Sequence, residues 1–430
     1  MGESDRSLGA AVDAMVGLRA TLLDGTGTES VALDSIAGRV LATDVVADSD
    51  VPSDSTATMD GVALDTDEDP PLALSEGPLG PGDEPPDHEP GTARRVATGA
   101  PVPVGADAVV PREDTTVEDG TLTAVPVDGG EHVVRRGSVV AAGETVLREG
   151  RRFAPRDAAV LADLGRERVA VRDRLSAAVL ATGTEIFEGR DPDRDSAFLA
   201  NLVREWGGTA TLAGSVPDEP DAVGERVRAL AADHDVVVTT GGTGVSGRDE
   251  TRETLGETDV RVRDVPVRPG SNSTVAWLDE PAAVVVSLPG PPGAAFASAT
   301  LLARPLFVGA SRTPTVTGTM TCDLPVPDRD LTFVVPVELR GGGAGDGGEA
   351  GDTGGDSGEA GDTGSDSTAD PQVVPFGHPS STVELYPDRF RPHRVATCAR
   401  LSAADGFVLA GSDLDEGQRV AVRPCEVVES

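Results

Sequence analysis

Between residues 173 and 310 the chain alternates apolar runs with amphipathic segments, and this rhythm constrains the fold more than any other feature. "LSAAVLATG", "TATLAGSV", "DVVVTTGG" and "AAVVVSLPG" are short, apolar and glycine-bounded. Between them, "DSAFLANLVREWGG" places Phe198, Leu199, Leu202 and Trp206 on one helical face, with Gly207 as its stop. "PDAVGERVRALAADH" does the same with Val223, Val227 and Leu230, "RDETRETLGE" starts another helix, and "PGAAFASATLLARPLF" is the last. Strands without polar alternation are covered on both faces, and strand–helix–strand units return as parallel neighbours. The expectation is an α/β protein with a doubly wound, mainly parallel sheet over 173–310.

Ligands of such sheets sit beyond the carboxyl ends of the strands. Three of those ends are unusual here: "ATGTE" at 181–185, "TTGGTG" at 239–244 and "SLPGPPG" at 287–293. Gly183, Gly241, Gly242, Gly244 and Gly290 permit tight turns and expose backbone N–H groups. The hydroxyls of Thr182, Thr184, Thr240 and Thr243 add donors for phosphate oxygens. Any one of these turns could be a plain strand-to-helix connection; three on one sheet edge favour a phosphate site. Glu185 and Asp249 lie at two of the edges, where they could hold a divalent cation beside a phosphate or take a proton. The bland readings are a helix N-cap for Asp249 and a solvated loop carboxylate for Glu185.

On the N-terminal side, residues 7–23 place Leu8, Val12, Met15, Leu18 and Leu22 on one helical face. A Pro-, Gly- and acid-rich stretch from about 65 to 93 leads into short β-like runs. "APRDAAVLADLG" at 154–165 reads as a helix between Pro155 and Gly165. After 310 the chain is β-rich, broken at about 341–370 by the repeat "GEAGDTGGDS", "GEAGDTGSDS". With almost nothing apolar to bury, that segment reads as a disordered hairpin insertion. The domain expectation is 1–48 with 140–172 as an elongated segment, 49–139 as a small β module, 173–310 as the doubly wound domain, and 311–430 as a C-terminal β domain.

Charge narrows the partners. The formal net charge is -37, and all 36 fixed cations are arginine; lysine is absent. Acid excess along the whole chain fits a protein of a high-salt cytoplasm, where carboxylates keep the surface hydrated and salt screens their repulsion. It argues against nucleic acid and anionic membrane surfaces as partners. Cys322, Cys398 and Cys425 are far apart and form no CxxC, which argues against a disulfide framework or a cysteine zinc site. No apolar run approaches membrane-spanning length, and the expected location is the cytoplasm.

Further motifs complete an ordered set: "ATMDG" at 57–61, "TGAPVPVGADAVV" at 98–110, "RRG" at 135–137 with "GETVL", "APRDAAVLADLG", "ATGTEIF", "TTGGTG", "VRPG" and "LPGPP". In this order they resemble the MoeA family, the molybdopterin molybdenumtransferases, from about residue 7 to 409. The resemblance implies four domains and a homodimer with its active site between subunits. It also implies insertion of molybdate into adenylylated molybdopterin with release of AMP, assisted by a divalent cation such as Mg²⁺. Asp60 matches the acid of the family's "MDG", Thr98 the threonine of "TGAP", Glu185 the glutamate of "TGDE", and Asp249 the aspartate after the glycine turn. Pro289 and Pro292 match the prolines of "LPGNP". These four polar residues are the expected catalytic set, with Asp249 and Glu185 at the cation.

The chain departs from the family at several of these places. Val139 stands where "RRGED" has its aspartate, Thr184 replaces the aspartate of "TGDE", and "KPGKP" is "RPGSN", so that Arg268 and Ser271 replace two lysines. Arg268 keeps the charge as a planar fork; Val139 and Ser271 do not. "TTGGTGVSGRDET" at 239–251 is closer to the related molybdopterin adenylyltransferases. Two alternatives therefore stand beside the transferase: an adenylyltransferase-like enzyme, and a catalytically weakened protein that binds and carries molybdopterin.

Overall fold

The computed structural model describes residues 7–124, 127–241, 259–327, 331–341, 370–397 and 400–425. The chain forms two compact units, Gly27–Asp173, and Met1–Thr26 together with Arg174–Ser430.

The second unit is built on a six-stranded sheet. Its spatial order is Thr209–Val216, Ser176–Thr182, Val236–Thr240, Ala282–Leu288, Thr274–Asp279 and Asp259–Arg263. The first four strands are parallel, and Thr274–Asp279 pairs antiparallel with both of its neighbours, Ala282–Leu288 and Asp259–Arg263. Register explains the doubly covered sheet. Ala177, Val236 and Val284 are lateral neighbours, as are Val179, Val238 and Val286, and all six face one core. The alternate positions Ala178, Leu180, Val237 and Val285 face another. The helix Pro220–Ala231 covers that second face with Val227 and Leu230. Each such buried Val or Leu contributes on the order of 1.5–3 kcal/mol.

Three elements cover the first face: the helix Ser196–Glu205 with Trp206, the helical segment Ala299–Val308, and the helix Leu8–Gly25. The inner faces differ slightly from expectation. Val203 lies deep, whereas Phe198 and Leu202 are half-buried; Ala11 is buried, whereas Val12 is half-buried. Small residues let these helices approach the sheet closely, which a count of bulky side chains does not reveal. Buried Arg19 fixes the N-terminal helix here by donating from Nη1 to the carbonyls of Leu306 and Phe307, at 3.0 and 2.6 Å. These belong to a helix C-terminus, where a cation is favoured. The helix expected at "RDETRETLGE", 248–257, lies outside the described residues.

The C-terminal part closes a small barrel. Strands Thr332–Arg340, Gln372–Pro375, Val316–Met320, Arg419–Pro424 and Gly406–Ala410 pair in that order, and the last returns to the first. The insertion expected at about 341–370 falls almost entirely outside the described residues. In the unit Gly27–Asp173, the strands Thr28–Ala32 and Arg168–Arg172 pair antiparallel. Residues on both sides of 49–139 share one core around Ile36, Leu41, Phe153 and Leu161. Residues from 57 to 127 pack into two further clusters. No helix among the described residues is long and apolar enough to cross a membrane.

Candidate functional site

The strand order fixes where a ligand can enter. From Ser176–Thr182 the chain moves to one neighbour, Thr209–Val216, and then crosses to the other, Val236–Thr240. The connections diverge at the carboxyl ends of the central strands, which opens a crevice. A cavity of about 740 Å³ lies there, a size suited to a small molecule. Its walls bring together Thr182, Gly183 and Glu185 from the first turn, Thr240 and Gly241 from the second, and Pro289, Gly290 and Pro292 from the third. Arg268 and Ser271 line it too, as do Pro392 and His393 from the barrel region. Gly242, Thr243, Gly244 and Asp249 lie outside the described residues.

Backbone proximity explains the glycines. Gly241 has φ +90°, and a Cβ there would stand 2.2 Å from the Thr182 carbonyl oxygen. A Cβ on Gly290 would meet the Gly241 Cα at 3.2 Å. Three strand ends therefore crowd together at Gly241, which leaves no room for side chains between them.

Two of the threonine hydroxyls are engaged within the protein. Thr182 Oγ1 donates to the Thr240 carbonyl at 3.1 Å, and Thr240 Oγ1 donates to Asp195 Oδ2 at 2.9 Å. Both protons serve bonds within the protein, so Thr182 and Thr240 tie the strand ends to each other and to Asp195. Thr184 Oγ1 accepts from the Asp218 N–H at 3.2 Å, which leaves its own proton to give.

Asp195 is the group that the sequence reading missed. It is 6% exposed, its Oδ1 is buried without a hydrogen-bond partner, and it lines the cavity. Burial pushes its carboxyl up to about 6, against the Thr240 hydrogen bond that lowers it; nearby Asp193 raises it further. Asp193 caps the helix Ser196–Glu205 by accepting from the N–H groups of Asp195 and Ser196, both at 3.0 Å. Arg194 grips Asp191 with two hydrogen bonds, at 2.8 and 3.0 Å. The walls thus carry the carboxylates Glu185, Asp191, Asp193, Asp195 and Asp218 against the guanidiniums of Arg194 and Arg268. An anionic ligand entering this excess of acid needs an accompanying cation. Among the described residues no three cavity carboxylates converge on one point. An ion held by one carboxylate, water and ligand phosphates still fits, which is the habit of Mg²⁺.

Asp60 and Thr98 meet in the unit Gly27–Asp173. The register pair Gly61 and Val96 brings their loops together. Asp60 Oδ1 accepts from both the Thr98 N–H and the Thr98 hydroxyl, each at 2.8 Å. The backbone bond, then the hydroxyl, holds the exposed Asp60 carboxyl below its ordinary range. Val139 is 65% exposed.

Comparison with known proteins agrees with this architecture. The MoeA N-terminal region (domain I and II) matches residues 7–165, and the probable molybdopterin binding domain matches 178–308. A molybdopterin biosynthesis MoeA protein from Pyrococcus horikoshii has the same fold, with a TM-score of 0.66, 20% identity, and coverage of 96% of this chain and 98% of that one. Molybdopterin molybdenumtransferase 2 of Mycobacterium tuberculosis is 32% identical over 303 residues, spanning 64% of this chain and 73% of its own. The corresponding enzyme of a Nostoc strain is 31% identical over 286 residues, spanning 62% and 66%. The chain is thus a multidomain protein of molybdenum cofactor biosynthesis. It belongs to the MoeA family, the molybdopterin molybdenumtransferases.

Proposed function

We propose that the chain inserts molybdate into adenylylated molybdopterin and releases AMP, with the switch-point cavity as the reaction site. The observation that carries this is the convergence of three glycine- and proline-bearing strand ends with Glu185 and Arg268 around one cavity. The Gly183 and Gly241 N–H groups are engaged with the Val216 and Leu288 carbonyls, so the phosphate takes N–H groups at the start of the helix Thr184–Phe187, and the Thr184 hydroxyl adds a donor. The Arg268 guanidinium holds an oxyanion, and Glu185 orients the cation-bound phosphoanhydride. Mg²⁺, when bound, neutralises charge developing on the departing phosphate. Asp249 is assigned to the same cation from the family motif. Asp60 and Thr98 complete the catalytic set in a homodimer with a shared active site, as the resemblance implies. The domain boundaries read from the sequence, a cytoplasmic location and a high-salt setting belong to the same proposal; -37 charges without a lysine support the last.

The test is to mix the purified chain with adenylylated molybdopterin, Mg²⁺ and molybdate in multimolar KCl. Molybdate-dependent AMP release is expected, and EDTA abolishes it. Val139 and Ser271 favour one second reading, a protein that binds molybdopterin without turnover. Binding without AMP release would establish that reading. Pyrophosphate release from ATP and molybdopterin would establish the adenylyltransferase.

A further inference from the structure

The unit Gly27–Asp173 carries another cluster of chemically competent side chains, outside the proposed reaction. Asp65 follows the strand Gly61–Leu64, Glu68 lies one turn later, and His88 precedes the strand Thr92–Val96 that pairs with the first. Backbone hydrogen bonds fix all three. Glu68 N donates to the Asp65 carbonyl at 3.2 Å, and His88 N donates to the Val104 carbonyl at 2.8 Å. Asp67 N donates to the Asp65 carboxylate at 3.0 Å, and Gly91 N to the Glu68 carboxylate at 2.9 Å. Gly105, with φ +108°, backs the histidine so closely that a Cβ there would lie 3.2 Å from His88 Cβ.

One donor atom from each of the three side chains lies within 4.8 Å of the other two. The His88 side chain is only 8% exposed, yet its Nε2 is buried with no hydrogen-bond partner. Glu68 Oε2 stands 3.3 Å from that nitrogen, without the alignment of a hydrogen bond. An unsatisfied buried polar atom costs on the order of 1–3 kcal/mol, so its retention calls for an occupant. Ligands about 2.0–2.2 Å from a tetrahedral Zn²⁺ stand roughly 3.3–3.5 Å apart. The Glu68–His88 separation already has this spacing, and an Asp65 carboxylate oxygen lies within 4.8 Å of both donor atoms.

We propose that Asp65, Glu68 and His88 bind a borderline divalent cation of the Zn²⁺ type, with water as the fourth ligand. The imidazole nitrogen selects against Mg²⁺ and Ca²⁺, which take oxygen ligands. Such an ion ties the loop at 65–68 to the loop at 88–91 and closes the Pro- and Gly-rich stretch between them. Coordination bonds also survive high ionic strength, which screens exposed ion pairs.

The experiment uses the full chain, stripped with EDTA and dialysed into KCl, then titrated with Zn²⁺ by calorimetry and by thermal melting. One equivalent of Zn²⁺ is expected to bind and raise Tm, while excess Mg²⁺ leaves it bound. His88→Gln should weaken binding by at least about 100-fold, with Asp65→Asn as a second, independent ligand variant. Glu185→Gln in the cavity and Cys322→Ser, which removes the thiol 3.6 Å from His378 Nδ1, should leave binding unchanged. Co²⁺ in place of Zn²⁺ should show no thiolate-to-cobalt charge-transfer band. Equal Zn²⁺ affinity in wild type and His88→Gln, or no binding by wild type, overturns the proposal and leaves a His88–Glu68 ion pair.

Discussion

Asp195 is a buried acid whose folded state holds its proton more tightly than the unfolded chain does. Its carboxyl sits at about 6, against 3.8 for an ordinary aspartate. Protonation therefore contributes stability below pH 4, and that contribution is lost as pH rises through 6. The difference corresponds to about 3 kcal/mol. Asp195→Asn keeps an acceptor for Thr240 and removes the charge. Its melting temperature in multimolar KCl should exceed that of wild type at pH 7.5 and converge with it near pH 4. A gap independent of pH would show that the carboxyl is not a buried charge. Gly241→Ala tests the contact between strand ends. The added methyl would meet the Thr182 carbonyl oxygen in a backbone conformation that L residues avoid. A loss of at least about 2 kcal/mol is expected in denaturant melts, and a neutral result would refute the close approach. Gly183, Gly241 and Gly290 were legible as glycines ending apolar strands, Glu185 from its place in one of those turns, and Arg268 through the resemblance to the MoeA family; all five line the cavity. Asp195 was not, since one acid among 73 carries no signal until burial singles it out. Likewise, no sequence pattern reveals that the Thr182 and Thr240 hydroxyl protons are committed internally.

At the scale of elements, apolar runs identified the parallel strands because both their faces are covered. The edge strand Thr209–Val216 is largely exposed on its outer positions, yet its β-like composition still marked it. What the pattern could not supply was long-range placement. The helix Leu8–Gly25 packs on a sheet that begins at Ser176, and the short helix Pro392–Ala396 brings His393 to the cavity. Both depend on tertiary contacts between segments far apart in sequence. Deletion of residues 345–368 makes a prediction at this scale. Arg340 and Gln372 on either side are cross-strand partners, so a short turn can join them, and the removed segment has almost no apolar side chains. Tm should stay within the shift expected of about 0.5 kcal/mol. Loss of cooperative unfolding would mean that the segment contributes to the core.

For the whole molecule, a net charge of -37 makes stability depend on screening. The screening length falls from about 10 Å at 0.1 M salt to about 3 Å at 1 M. Self-repulsion of the compact chain should therefore fade as KCl rises, with Tm climbing into the multimolar range. A melt unaffected by salt would contradict that. The cavity is the proposed place where adenylylated molybdopterin reacts, and Glu185 is its most direct probe. It is exposed on the short helix Thr184–Phe187 and faces the cavity, so Glu185→Gln should leave the fold untouched. Molybdate-dependent AMP release by this variant, measured against wild type with melting curves in parallel, should fall roughly 10²-fold or more at unchanged Tm. A full rate of AMP release from Glu185→Gln would contradict the account.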